Sequence, residues 1–151
     1  MNEAAERIGK ALQDRDQVLA VAESLTGGML AGEFARASGS SDWFRGGVVA
    51  YSRHVKHQLL GVAPGPVVSA EAASAMASGV AQLTNAEVAV AVTGVGGPDE
   101  QDGQPPGTVW VATWPESLGP PVQLQLEGEP GDICEQTCEQ AVQLLAERLG
   151  L

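Results

Sequence analysis

Apolar and polar positions along this chain follow two alternating periods. From Glu3 to Asp14, Ala4, Ile8, Ala11 and Leu12 recur at helical spacing on one side, which predicts an amphipathic helix. Val18 to Ala22 is a short continuous apolar run, the pattern of a strand buried on both faces. Helical spacing returns from Met29 to Ala37, and Gly46 to Tyr51 reads as a second strand. A short helix over Val55 to Leu60 ends at Gly61, and Pro64, Gly65 and Pro66 punctuate a loop. Ser69 then suits the N-cap of a helix running to about Leu83, and Ala86 to Val92 is another buried strand. Thr93 to Gly107, rich in glycine and proline, is a long loop of the kind that is functional or disordered. Thr108 to Thr113 and Val122 to Leu126 alternate as strands, the latter placed near an edge by Pro120 and Pro121. A helix from Asp132 to Leu149 closes the chain. Helices interleaved with strands predict a single layered α/β/α domain over residues 1–151. No helix separates the last two strands, so the expected sheet is mixed.

Composition sharpens this picture. The chain has 151 residues, the usual size of one domain. Hydrophobic residues at 44% and charged residues at 18% exclude intrinsic disorder and a coiled coil. The longest uncharged runs, such as Val88 to Gly97, fall far short of the roughly 20 residues of a membrane span. Residues 1–7 carry acids and no apolar signal core, so the expectation is a cytoplasmic protein. The net charge of −11 argues against direct binding of nucleic acid or anionic membranes. That charge is uneven: residues 1–98 hold 9 acidic and 7 basic side chains, whereas residues 99–151 hold 10 acidic ones and a single base, Arg148. An anionic ligand is therefore to be sought in the first two-thirds, where Arg36, Arg45, Arg53 and Lys56 stand against Asp42 alone. The two cysteines, Cys134 and Cys138, share a helix face but are not expected to form a disulfide in the cytoplasm. No metal site is expected, because His54 and His57 lie far from them in sequence.

The residues that suggest chemistry begin just past the first strand. Ser24 follows its C-terminal end, where open α/β sheets place their ligands, and Gly27 and Gly28 let a substrate approach the backbone closely. The next helix offers free N–H groups for an anion or oxyanion. Ser24 is thus placed like a nucleophile, although Ser24 and Thr26 also suit a plain helix cap. A base is needed, and His54 and His57 are candidates. Lys56 is the more interesting one: the chain has six arginines and only two lysines, and only lysine can shed its proton. A Ser–Lys pair is a recognised variant of nucleophilic acyl transfer, yet on spacing alone Lys56 also reads as a surface side chain. Thr93-Gly94-Val95-Gly96-Gly97-Pro98 is not a dinucleotide fingerprint; its glycines suit either a pocket wall beside Ser24 or an irregular crossover.

Several motifs then occur in order: Glu23-Ser24-Leu25-Thr26-Gly27-Gly28; Gly39 through Ser52 with Lys56 and Leu60-Gly61-Val62; Ala91 through Pro98; and Pro106-Gly107-Thr108-Val109. Together they closely resemble the CinA C-terminal domain family, which includes stand-alone nicotinamide-nucleotide amidases, and the match covers about Ala4 to Leu149. The family's long members carry an extra N-terminal domain, and the expectation from 151 residues is a single domain without it. The resemblance implies deamidation of nicotinamide mononucleotide to nicotinic acid mononucleotide and ammonia, without metal or organic cofactor. It implies Ser24 as nucleophile, Lys56 as base and Ser41 as a second serine hydrogen-bonded within that centre. Thr26, Gly27, Gly28, Tyr51, Thr93 and Gly94 would line the substrate site, with Arg45 complementing the phosphate. A homodimer is implied as well. One departure stands out: Pro130 and Cys134 occupy positions where the family usually carries arginines, one of them a substrate-site group. A substrate-shifted or non-catalytic relative is the alternative reading.

Overall fold

Valine and alanine alternate along the two central strands, and that alternation divides the molecule into two cores. The computed structural model describes residues 2–151. In chain order it comprises α1 (Asn2–Asp14), β1 (Leu19–Glu23), α2 (Met29–Ala35), α3 (Ser40–Trp43), β2 (Phe44–Val49), α4 (Arg53–Leu59), α5 (Ala70–Thr84), β3 (Val88–Gly94), β4 (Thr108–Trp114), β5 (Val122–Gln125) and α6 (Pro130–Arg148). A 3₁₀ turn, Glu116–Leu118, joins β4 to β5. Leu19, Val21, Val88, Val90 and Val92 face one side, where they pack with Ile8 and Leu12 of α1, Phe34 of α2 and Val142 and Leu145 of α6. Ala20, Ala22, Ala89 and Ala91 face the other side, and their small side chains let Met76, Ala77 and Val80 of α5 settle close to the sheet. The three layers expected from the sequence are therefore present.

The sheet has five strands in the order β2-β1-β3-β4-β5. β1 lies parallel to both β2 and β3, while β4 is antiparallel to β3 and β5, so the sheet is mixed as expected. β1 and β3 are buried along their whole length, and β5 is an edge strand. Two of the boundaries that differ from the periodicity have a local cause. β2 begins at Phe44 rather than Gly46 because the one-turn helix α3 seats Trp43 in the core directly before it. α6 begins at Pro130 rather than Asp132, since proline suits the first helical position, where no N–H partner is required.

The register fixes what lies at each end. Glu23 pairs with both Val49 and Val92, so the C-terminal ends of β1, β2 and β3 meet along one edge of the sheet. Leu19 pairs with Phe44, which puts the start of β2 along the opposite edge.

Candidate functional site

The turn that carries Ser24 is organised by a buried acid. Glu23 is the last residue of β1 and is fully buried. Its Oε1 accepts the Thr26 hydroxyl at 2.6 Å, the Gly28 N–H at 2.9 Å and the Leu30 N–H at 3.0 Å, while Oε2 accepts the Ala31 N–H at 2.8 Å. The chain can close this tightly because Gly27 and Gly28 take φ values of 59° and 111°, which side chains rarely adopt. This corrects the expectation of free amides at the start of α2. Those donors already hold an internal carboxylate, and Thr26 and Gly28 support the turn and are not walls of the cavity onto which Ser24 opens.

Ser24 itself, 5% exposed, opens onto a cavity of about 360 Å³. Leu25, Tyr51, residues 94–101, Pro130 and Cys134 form the remaining walls. Tyr51 is 71% exposed, and its ring passes 4.0 Å from where a Cβ on Gly27 would lie, so Gly27 borders the mouth. Gly94 lines the cavity and must be glycine, since a Cβ there would lie 2.7 Å from the Thr108 carbonyl oxygen.

Lys56 is 2% exposed, which corrects its reading as a surface side chain. The Ala50 N–H donates to the Glu23 carbonyl at 2.7 Å, holding the exit of β2 against the end of β1, and α4 starts three residues later. Ser24 and the helix of Lys56 thus share the C-terminal edge of the parallel strands, although Lys56 is not among the cavity walls. Among the described residues no buried side-chain nitrogen or oxygen lacks a hydrogen-bond partner. The Lys56 amine has a cation and an acid for neighbours, Arg53 and Asp102. Burial lowers the pKa of that amine, the Arg53 guanidinium lowers it further, and the Asp102 carboxylate partly opposes them. Asp102 is ion-paired with Arg53 and accepts the Val67 and Val68 N–H groups at 2.8 and 3.2 Å. Burial alone would raise the Asp102 pKa, but these donors outweigh it and hold the carboxyl below its usual value.

Three residues expected at the site are not among the cavity walls. Ser41 is exposed on α3, ahead of the start of β2. The six residues of β2 separate it from the Ser24 edge by roughly 20 Å, so it takes no part in the Ser24 centre of its own chain. Arg45 lies at that same far edge, where its Nη1 donates to the Thr84 and Asn85 carbonyls at 3.0 and 3.2 Å. It caps the C-terminus of α5, where a cation is favourable, and is not available to a phosphate at the cavity. Thr93 adjoins Gly94 but is fully buried, with its hydroxyl donating to the Val67 carbonyl at 2.7 Å; it fastens the loop before α5. Of the two histidines, His54 is exposed and His57 Nδ1 donates to the Val62 carbonyl at 2.8 Å.

Glu23, Arg53 and Asp102 are the contributors that the sequence reading missed. Glu23 carried a readable signal, an acid closing an apolar strand three residues before Thr26. Asp102 carried none, because its partners lie 34 to 49 residues away.

Pro130 and Cys134, the two departures from the family pattern, both line the cavity, on the first turns of α6. The Cys134 thiol donates to the Leu25 carbonyl at 3.2 Å, and burial pushes its pKa up. Burial, with Glu23 and Glu33 nearby, pushes the Cys138 thiol up to about 12. The walls include the acids Asp99 and Glu100 but no lysine or arginine. Among the described residues, no cluster of His, Cys, Asp and Glu is placed to hold a metal ion, and no helix is long and apolar enough to cross a membrane.

Comparison with known proteins sets this site in context. The family model described as CinA C-terminal domain matches residues 1–149. A competence-damage inducible protein of Limosilactobacillus fermentum is 39% identical over 137 residues, covering 87% of this chain and 33% of its own length. One from Limosilactobacillus reuteri is 44% identical over 105 residues, covering 66% of this chain and 25% of its own. The chain thus spans a quarter to a third of the curated relatives it matches. Among solved structures, the CinA superfamily protein of Enterobacter cloacae is similar with a TM-score of 0.93 at 27% identity, over 98% of this chain and 91% of that one. The competence damage-inducible protein A of Klebsiella pneumoniae gives 0.93 at 30% identity, over 99% and 96%.

Proposed function

The chain belongs to the CinA C-terminal domain family, and from that premise we propose that it is an amidohydrolase acting on the carboxamide of a nicotinamide compound through Ser24 and Lys56. The observation that carries this reading is the burial of Lys56 at the strand edge where Ser24 opens onto its cavity. A lysine in water keeps its proton, whereas one lowered by burial and by Arg53 supplies the neutral amine a general base needs.

The reaction follows from those two groups. The Ser24 hydroxyl attacks the amide carbon and passes its proton to the Lys56 amine. The C–N bond then breaks, and the proton returns from Lys56 to the nitrogen, which departs as ammonia. A water molecule gives a proton to Lys56 and attacks the Ser24 ester. The ester C–O bond breaks, the Lys56 proton returns to the Ser24 oxygen, and the acid product leaves and loses its own proton to the released ammonia. Glu23 holds the Ser24 turn in place through four donors and touches no reacting atom. Since it occupies the α2 amides, the developing oxyanion is assigned to the glycine-rich wall at Gly96 and Gly97, beside Ser24 in the cavity. Nicotinamide mononucleotide is the first compound to which the family resemblance points. The same reading has the enzyme working in the cytoplasm as a homodimer, on a small molecule and on neither nucleic acid nor membrane.

The test is ammonia release by purified protein from nicotinamide mononucleotide and related amides, beside Ser24→Ala and Lys56→Ala. Release by the wild type that both substitutions abolish supports the reading; equal release by all three proteins overturns the mechanism.

A further inference from the structure

The helix-end amides and the cations of this chain nearest the cavity are already engaged, which leaves on its walls the Gly96 and Gly97 amides assigned above to the oxyanion. The α2 amides of Gly28, Leu30 and Ala31 hold the Glu23 carboxylate. Arg53 is ion-paired with Asp102. The first turn of α6 faces the cavity through Pro130, which has no N–H, and carries Asp132, whose Oδ2 accepts the Glu129 N–H at 2.9 Å. Arg45 caps α5 at the far edge of the sheet. Lys56 remains, and the proposed chemistry requires it neutral.

The cavity walls add repulsion to this lack of cations. Asp99 and Glu100 both line the space, and both are exposed. A cavity of about 360 Å³ is about as wide as the Debye length of roughly 8 Å at physiological salt, so a dianion inside would feel both carboxylates incompletely screened. A positively charged ring would feel attraction instead.

We infer that this site selects a carboxamide whose far end is uncharged or cationic, and that it disfavours the phosphorylated form of the same molecule. The inference rests on the amidohydrolase reading above and narrows its substrate class. Asp99 and Glu100 act as determinants of specificity: they repel a phosphate without touching the amide.

The experiment compares ammonia release from nicotinamide riboside and nicotinamide mononucleotide, which share the amide and the ring and differ by the phosphate. Wild type, Ser24→Ala and the double variant Asp99→Asn/Glu100→Gln are assayed at low and high salt. The expected result is Ser24-dependent release with kcat/KM about tenfold or more higher for the riboside. That preference should shrink in the double variant and in high salt. Ser24-dependent release that is equal or faster with the mononucleotide overturns this inference and leaves the amidohydrolase reading standing. A riboside preference unchanged in the double variant also overturns it, because the two acids would then not be its cause. Absence of Ser24-dependent release from either compound overturns the amidohydrolase reading, and this inference with it.

Discussion

The Glu23 carboxylate and the Thr26 hydroxyl lie 2.6 Å apart across the turn that presents Ser24, and the same carboxylate takes three backbone N–H groups of that turn and of α2. The position of Ser24 therefore depends on an acceptor with no donor of its own. Glu23→Gln puts an NH₂ group among those donors, leaving some of them buried and unpaired. The expected loss is about 2–4 kcal/mol of stability, read by denaturant unfolding, together with a lower kcat as the turn loosens.

Lys56 is flanked by two charges of opposite sign, so its pKa can be moved in either direction. Burial and Arg53 lower it, and Asp102 raises it. Activity should rise with pH as Lys56 loses its proton, with the acid limb lying below the ordinary lysine value of 10.5. Arg53→Gln removes a repelling cation and should move that limb to higher pH. Asp102→Asn leaves Arg53 unneutralised and should move it to lower pH. The kcat/KM profile against pH checks both directions, and a structural role alone would not displace the limb oppositely in the two variants.

The same burial has a consequence for stability. Because the folded pKa of Lys56 lies below its unfolded value, the unfolded chain binds more protons between those two pH values, and stability rises with pH across that window. Below the window the cost of burying the charge is present in full. Lys56→Met removes that cost, so the variant should be inactive yet unfold at higher denaturant than the wild type at neutral pH. Above pH 10.5 the difference should narrow.

Arg45 and Ser41 lie at the edge of the sheet away from Ser24. Arg45→Ala should cost about 0.5–1 kcal/mol through the uncapped carbonyls of α5 and leave kcat/KM within about twofold of wild type. Ser41→Ala should change neither. Unfolding curves and steady-state rates measured on the same preparations check this.

The contrast among these residues shows what was legible in the sequence. Val18 to Ala22 followed by Ser24, Gly27 and Gly28 is a local pattern, and β1, its turn and α2 formed where that pattern placed them. The valine-rich and alanine-rich faces of β1 and β3 were present in the sequence too, as were the antiparallel final strands. Arg45 and Ser41 were misplaced because their neighbourhood in sequence says nothing about which end of β2 faces the site. Only the parallel register, Leu19 to Phe44 and Glu23 to Val49, decides that. Asp102 was invisible because a residue in a glycine-rich loop gains its role solely from Arg53, Val67 and Val68, distant in sequence. Lys56 stood out as a candidate by its rarity, but no spacing within Val55 to Leu60 encodes its burial or the approach of Asp102 from the Thr93 to Gly107 loop.

The central claim is that Ser24 becomes covalently acylated during amide hydrolysis. Rapid acid quench during turnover of an amide substrate, followed by peptide mass mapping, reads this directly. The account predicts an acyl adduct on the peptide containing Ser24, accumulating in the wild type and absent from Ser24→Ala. Ammonia release undiminished in Ser24→Ala, with no adduct on that peptide in the wild type, would contradict it.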